Sequence, residues 1–331
     1  MDTIEVRPLK PEEYPLWDEL VGLSSNGTIF HLSHWLVPAG RESHVTTDFF
    51  GAFSSGQLVG GCAIHSHKIA GLFTSATTTL PLTPYGGVIL RPLESTKIRE
   101  KEKEEGLIIY SLLSAIQHKQ PHILSLTMSP SVIDIRPYTW QGWDESVRYC
   151  YIIPLSGNIA EHLSKKVRWS VNKAKKSGIV AKQVWDTDIY WNLTLNTYRK
   201  QGTQPPFSQK LLFSLIDTIQ ENQWGEMWIA ETTSGEVAAA EIFIWDYQMV
   251  YRWSAASNDL LKDTGATSLL LLEMMTHLQE KGFKNFNMMA ANTPHLAKFI
   301  SSFNPELVPY FSVQKSRGVL RIFNAMRSII R

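Results

Sequence analysis

The sequence predicts an α/β (α+β) protein made of two copies of one unit, each a mixed, mostly antiparallel sheet flanked by helices. Three observations predict it. One is an internal repeat. Another is the order of strand-like and helix-like segments within each copy. The third is a length of 331 residues, which suits two domains of about 150 residues each.

The repeat begins with a hairpin. Residues 51–61 read GAFSSGQLVGG and residues 230–240 read AETTSGEVAAA. Each is a strand, a tight turn at Ser55-Gly56 or Ser234-Gly235, and a returning strand, with glycine supplying the positive φ. Apolar strand-like runs follow, Ile69 to Thr79 in the first copy and Met249 to Ser257 in the second. Helical periodicity comes next, through Leu107, Ile108, Leu112, Leu113 and Ile116, and through Leu269 to Leu272, Met274, Met275 and Leu278. Both copies then show a short turn and a buried strand, HILSLTM at 122–128 and KNFNMMA at 284–290. Upstream, each copy opens with a strand (IEVRPL, IVAKQV) and an aromatic-bearing helix, around Tyr14 and Trp17 or Tyr190, Trp191 and Tyr198. The turn cluster Pro154 to Asn158 places the join near residue 155, dividing the chain into 1–155 and 156–331. Gly318 to Arg331 reads as a basic amphipathic helix, which either covers the second domain's core or meets an anionic membrane or a partner.

Composition excludes several classes. With 44% hydrophobic residues and 11 Trp, 11 Tyr and 14 Phe, the chain must pack a core and is not disordered. Lys and Arg (32) balance Asp and Glu (31), giving +1 overall, which argues against a DNA-coating protein. Cys62 and Cys150 build no disulfide framework and fit a reducing compartment. No secretory leader and no run of roughly 20 apolar residues is present, so a cytoplasmic protein is expected.

Several segments carry chemical interest. Lys165, Lys166, Arg168, Lys173, Lys175 and Lys176 crowd one predicted helix, and such clustered cations suit phosphate. The same helix read structurally is a solvated face. The loop Lys262-Asp263-Thr264-Gly265-Ala266-Thr267 lies between a strand and a helix. It either presents backbone N–H groups to a diphosphate or is a plain helix cap through Asp263 or Thr264. The stretch Glu94 to Gly106 in the first copy is charged and has no such glycine pattern. Pro84-Tyr85-Gly86-Gly87 would let backbone approach a ligand closely, or is only a turn. Asn292-Thr293-Pro294-His295 opens the last helix of the repeat, with Thr293 as cap, Pro294 at its first position and His295 as a candidate proton shuttle. His65 and His67 share one strand face, but no further metal ligand has recognisable spacing, so no metal is expected. Glu241 and Asp246 are alternative general bases.

Five segments together resemble one family. They are Thr28-Ile29-Phe30-His31-Leu32-Ser33-His34-Trp35, Pro81 to Gly87, the basic run Leu163 to Ile179, Tyr251-Arg252-Trp253-Ser254-Ala255-Ala256-Ser257, and Phe299-Ile300-Ser301-Ser302-Phe303-Asn304-Pro305-Glu306. The unit itself resembles the GNAT acyltransferase fold. Two in tandem resemble the Fem family of aminoacyl-tRNA-dependent peptidyltransferases and related tandem acetyltransferase-like proteins. The resemblance implies two tandem GNAT-like domains and an acyl- or aminoacyltransferase. Such an enzyme moves an acyl group from a thioester or an aminoacyl-tRNA to an amine. A ligand-binding or scaffold protein retaining the fold is the alternative.

The resemblance also implies site residues. Lys262, Gly265 and Ala266 would hold the donor, either acyl-CoA or aminoacyl-tRNA, with no tightly bound cofactor. Tyr85, Gly86, Gly87, Arg168, Lys173, Arg252, Trp253 and Asn292 would hold substrate. The acceptor would be a small molecule or a cell-envelope precursor, and tRNA a candidate partner. The family's reaction-site Lys falls on Ile300, which leaves Lys298, two residues earlier, as the catalytic candidate. The segment Leu36-Val37-Pro38-Ala39 lacks a Lys that some Fem enzymes use for a nucleotide diphosphate.

Overall fold

The structure is a computed structural model that describes residues 3–69, 73–200 and 202–317. The Gly318–Arg331 segment read as an amphipathic helix therefore lies outside the described residues. Two compact units are present. One runs to Arg148 and resumes at Tyr310, and the other spans Tyr149–Pro309. The sequence placed a single join near 155. The chain instead passes from the first unit to the second within one strand and returns within another.

The first unit opens with β1 (Glu5–Pro8), α1 (Tyr14–Leu23) and α2 (Ser33–Glu42). The hairpin follows as β2 (Thr46–Ser54) and β3 (Gln57–Ile69), then β4 (Phe73–Thr77) and the short β5 (Val88–Leu90). Ser55 and Gly56 both adopt positive φ, 49° and 81°, so the turn twists with its strands. The helix α3 spans Ile98–His118, so the charged stretch supplies its first turns. After it come β6 (Ile123–Thr127) and a helical turn, α4 (Arg136–Thr139).

Spanning the crossing to the second unit is β7 (Asp144–Pro154). Then come α5 (Ile159–His162), the basic helix α6 (Lys165–Lys176), β8 (Val180–Gln183), α7 (Thr187–Lys200) and α8 (Gln209–Glu221). The second hairpin is β9 (Gly225–Glu231) and β10 (Val237–Trp245), followed by β11 (Val250–Ser257), α9 (Ala266–Glu280), β12 (Asn285–Ala290) and α10 (Pro294–Ile300). On the return to the first unit lies β13 (Glu306–Ser316).

Strand order repeats as the sequence repeat requires. The first sheet runs β1-β2-β3-β4-β6 and the second β8-β9-β10-β11-β12. Pairing is antiparallel except at β4–β6 and β11–β12, which are parallel at equivalent places. Each sheet then gains an antiparallel strand from outside its repeat. In the first unit β13 pairs with β6 through residues 312–316, and in the second β7 pairs with β12.

The first core packs Ile108, Leu112, Leu113 and Ile116 of α3 against Phe50, Ala52 and Ile64. In the second, Val167, Val171 and Ala174 of α6 meet Leu270, Met274 and Leu278 of α9 over Ala239 and Phe243. The apolar stripe of α6 follows a 3.6-residue period, so its cations are left on the outer face.

Candidate active site

The second unit builds its candidate site where α6 meets the loop before α9. Ser164 caps α6, its hydroxyl accepting the Val167 N–H at 3.3 Å. The loop begins at Asn258, whose carboxamide oxygen accepts the Leu260 N–H at 3.1 Å, and continues as a 3-10 turn over Asp259–Thr264. It ends on Gly265, which has φ 84° and is the residue that starts α9. A Cβ on Gly265 would lie 2.2 Å from the Ser170 carbonyl oxygen, so only glycine lets loop and helix approach this closely. Lys173 reaches across the same contact and donates to the Asp263 carbonyl at 2.6 Å. The cap is thus shared: Gly265 supplies the turn, and Thr264 Oγ1 accepts the Ala266 N–H at 3.3 Å.

Lys173, Lys262, Gly265 and Ala266 are therefore brought together at one loop–helix junction of the second unit. Lys262 is exposed there, and Ala266 is buried beneath the loop. The first-turn N–H groups of α9, a helix of 15 residues, carry the positive end of its dipole at this point. Arg168 stays on α6, but its guanidinium donates to the carbonyls of Glu161 (3.1 Å) and Leu163 (2.7 Å), fastening the turn that precedes the helix.

The strand residues have a different setting. Between Ile242 and Phe243 the β10–β11 register shifts, so Trp253 is the extra residue of a bulge. Arg252 beside it makes a bidentate pair with Glu241, at 2.8 and 2.5 Å, and the two side chains are only 9% and 1% exposed. Burial pushes the Glu241 carboxyl up, against the pull of Arg252. Tyr190 of α7 donates to Ser254 Oγ at 2.6 Å, next along the bulged strand. Arg252 is thus a buried, neutralised cation, and its partner is the carboxylate weighed as a general base. Asp246 instead ties its own turn, accepting the N–H groups of Gln248 and Met249 at 2.9 Å.

At the end of β12, Asn292 bonds both backbone groups of Tyr149, accepting at 2.9 Å and donating at 2.8 Å. Its side chain extends the β7 pairing. Ile300, at the family's Lys position, is fully buried in the core. Lys298 lies two residues back, roughly 200° around the helix, and is exposed, as is His295.

The Pro84–Gly87 loop belongs to the first unit and is packed inward. Tyr85 is 1% exposed, with its ring edge-on to Phe30 and Tyr310 at 5.9 and 5.3 Å. Gly86 donates to the Thr127 carbonyl at 2.8 Å, and a Cβ on it would lie 2.3 Å from the Thr78 carbonyl oxygen. The glycine thus enters the gap where parallel β4 and β6 separate. His65 is buried with Nδ1 2.9 Å from Thr47 Oγ1, while His67 is exposed. No group of three or more His, Cys, Asp or Glu able to hold a metal occurs among the described residues.

Two features escaped the sequence reading. One is a cleft of about 280 Å³ between α7 and the end of β11, lined by Asn196, Thr197, Arg199, Lys200, Asn258 and Asp259. Residues so far apart in sequence gave no common signal. The other is the exposure of Trp169: helical spacing puts it on one face of α6 with Lys166 and Lys173, but does not decide that its ring is largely open to solvent.

Comparison with known proteins bears on the fold. Residues 162–295 match the sequence profile of the acetyltransferase (GNAT) domain, which takes in α6, the 258–265 loop and α9 and stops before Lys298. A crystal structure of FemX covers 93% of this chain and 96% of its own, with a TM-score of 0.69 at 10% identity. The chain has the Fem-like tandem GNAT fold. A tandem GNAT protein from the clavulanic acid biosynthesis pathway has a TM-score of 0.57 at 12% identity, covering 96% of this chain and 99% of its own. The C-terminal domain of a putative lysylphosphatidylglycerol synthetase from Agrobacterium fabrum has a TM-score of 0.57 at 14% identity, covering 96% of each chain. No match is found among curated proteins. Among the described residues of this tandem GNAT chain, no helix is long and apolar enough to cross a membrane.

Proposed function

We propose that the chain is an N-acyltransferase whose second GNAT unit holds the donor, an acyl-CoA or an aminoacyl-tRNA. The observation that carries this reading is the loop–helix junction. Gly265 is seated against α6, the start of α9 faces the loop, and Lys262 stands exposed beside it. Such a junction suits the phosphates next to an activated acyl group. Lys262, Gly265 and Ala266 form the donor site, with Lys173 and Arg168 holding the helix against it. The acceptor amine attacks the donor carbonyl directly. A C–N bond forms, the C–S or C–O bond to the carrier breaks, and the amine's proton leaves with the carrier or to solvent. Polar groups at the strand edge stabilise the oxyanion. The reaction takes place in the cytoplasm, on a small molecule or a cell-envelope precursor.

The buried Ile300 favours a second reading, in which the fold binds a donor but no longer transfers its acyl group. One experiment separates them. Thermal unfolding is followed with CoA, acetyl-CoA and charged tRNA, and transfer to amines is measured with any donor that binds. A ligand at a hundredfold excess over its Kd stabilises by about 2.7 kcal/mol, which is readily seen as a raised midpoint. Stabilisation with transfer supports the enzyme, and stabilisation without transfer supports the binding protein. No stabilisation by any donor refutes the site.

A further inference from the structure

In the first unit the last rungs of the β3–β4 hairpin overhang the sheet. β2 begins at Thr46, opposite Ser66, so among the described pairings His67, Lys68 and Ile69 pair with β4 alone. Ile69 faces Phe73 across the final rung, and the two are 43% and 39% exposed. His67 and Lys68 beside them are exposed as well. The core beneath is already closed by Leu112, Leu113 and Ile116 of α3, so this apolar end is not needed to complete it.

The end of β13 lies beside the overhang, and His122 joins the two. Its Nδ1 accepts the Thr74 N–H at 3.0 Å, and its ring stands edge-on to Phe73 at 5.2 Å. Its carbonyl accepts the Arg317 N–H at 2.9 Å. Arg317 also donates to the Gln117 carbonyl at 3.0 Å. The chain beyond Arg317 therefore starts next to Phe73.

That segment is Gly318 to Arg331. Read at roughly 100° per residue, Val319, Ile322, Phe323, Met326, Ile329 and Ile330 fall on one face, with Arg321 opposite and Arg327 and Arg331 along one flank. From Leu307 to Arg331 the chain has no Asp or Glu, and residues 49–93, which hold the hairpin, have none either. Lys119 nearby is matched by Asp48 at 2.7 Å, but among the described residues no carboxylate meets Lys68 or Arg317. Unmatched charge of one sign thus accompanies both apolar features. A protein groove would take the apolar face without need of such a flank. An anionic bilayer attracts each cation separately and takes the apolar side chains between them.

We infer that the hairpin end and segment 318–331 form one docking surface for an anionic membrane. Ile69, Phe73 and the apolar face of the segment enter the interface, while Lys68, Arg317, Arg321 and Arg327 meet lipid phosphates. Such a contact is independent of the transfer reaction.

The full chain is sedimented with vesicles of phosphatidylserine mixed with phosphatidylcholine, and with phosphatidylcholine alone, over a range of salt. Binding is expected only to the mixed vesicles, weakening as salt rises. Arg321→Gln with Arg327→Gln should weaken it about 25-fold, at about fivefold for each cation. Ile69→Ser with Phe73→Ser should weaken it about tenfold, and urea unfolding checks that this variant folds. A separate reading comes from an environment-sensitive dye on Phe73→Cys, since Cys62 and Cys150 are buried and escape labelling. Its emission should move to shorter wavelength when mixed vesicles are added. No binding of the parent to mixed vesicles overturns the inference. So does equal binding to phosphatidylcholine alone, unchanged binding by either double variant, or a dye that does not shift. These results leave donor binding at Gly265 untouched, so the membrane contact and the transfer reading fail separately.

Discussion

Replacing Gly265 with alanine tests the junction on which the donor site depends. Two costs are expected. The residue has φ 84°, a region that costs an L-residue about 1–2 kcal/mol. Its new Cβ would also sit 2.2 Å from the Ser170 carbonyl oxygen, more than 1 Å inside an ordinary contact. That neighbour is helix backbone, which cannot rotate away, and overpacking of this kind costs about 1–3 kcal/mol. The sum is about 3 kcal/mol. Gly282 in the same unit provides the control, with φ 91° and nothing within 4 Å of a built Cβ. Gly282→Ala should lose only the conformational part, about 1 kcal/mol. Urea unfolding of both variants gives the comparison, read from midpoints at unchanged slope. Donor binding should fall in Gly265→Ala alone, as the loop moves off α6 and Lys173 loses Asp263. Equal losses in the two variants would refute the close approach.

Two further outcomes follow from buried groups. Arg252→Met should destabilise the second unit by about 3–5 kcal/mol because Glu241 is left buried and alone. Adding Glu241→Leu to it should restore much of that loss in the same urea assay, and no recovery would sink the argument. His31 and His65 have their pKa values lowered to about 4 by burial. The unfolded chain takes up protons near 6.5 while the folded one does not, so stability is full above 6.5 and falls as pH drops towards 4. Each contributes up to about 3 kcal/mol. Imidazole NMR resonances titrating near 6.5 for both residues would contradict this.

How far the sequence could be read depended on how local each signal was. The hairpins at Gly56 and Gly235, α3, α9 and the buried strands β6 and β12 all follow from turn chemistry and periodicity within a few residues. The helix α8 was not anticipated by the repeat, although Leu211, Leu212, Leu215, Ile216 and Ile219 keep helical spacing. Lys173 was expected on the substrate and Lys262, Gly265 and Ala266 on the donor, and only the packing of the loop on α6 brings them to one junction. Other expectations could not be settled locally. Arg252 looks like a free cation until β10 brings Glu241 beside it across a bulge. Tyr85 looks like a ligand contact until Phe30 and Tyr310 close over it. Asn292 looks available until it bonds Tyr149, far back in the chain.

By itself, the sequence determined that one unit occurs twice, with a basic helix opening the second. Those properties are set by near neighbours, through spacing, turns and charge. Only the tertiary structure decided that β13 completes the first sheet and β7 the second, and which polar residues are used up in holding the fold. Those outcomes depend on pairing between segments up to about 190 residues apart, such as Thr127 with Ser312, and no short-range pattern encodes such a partner.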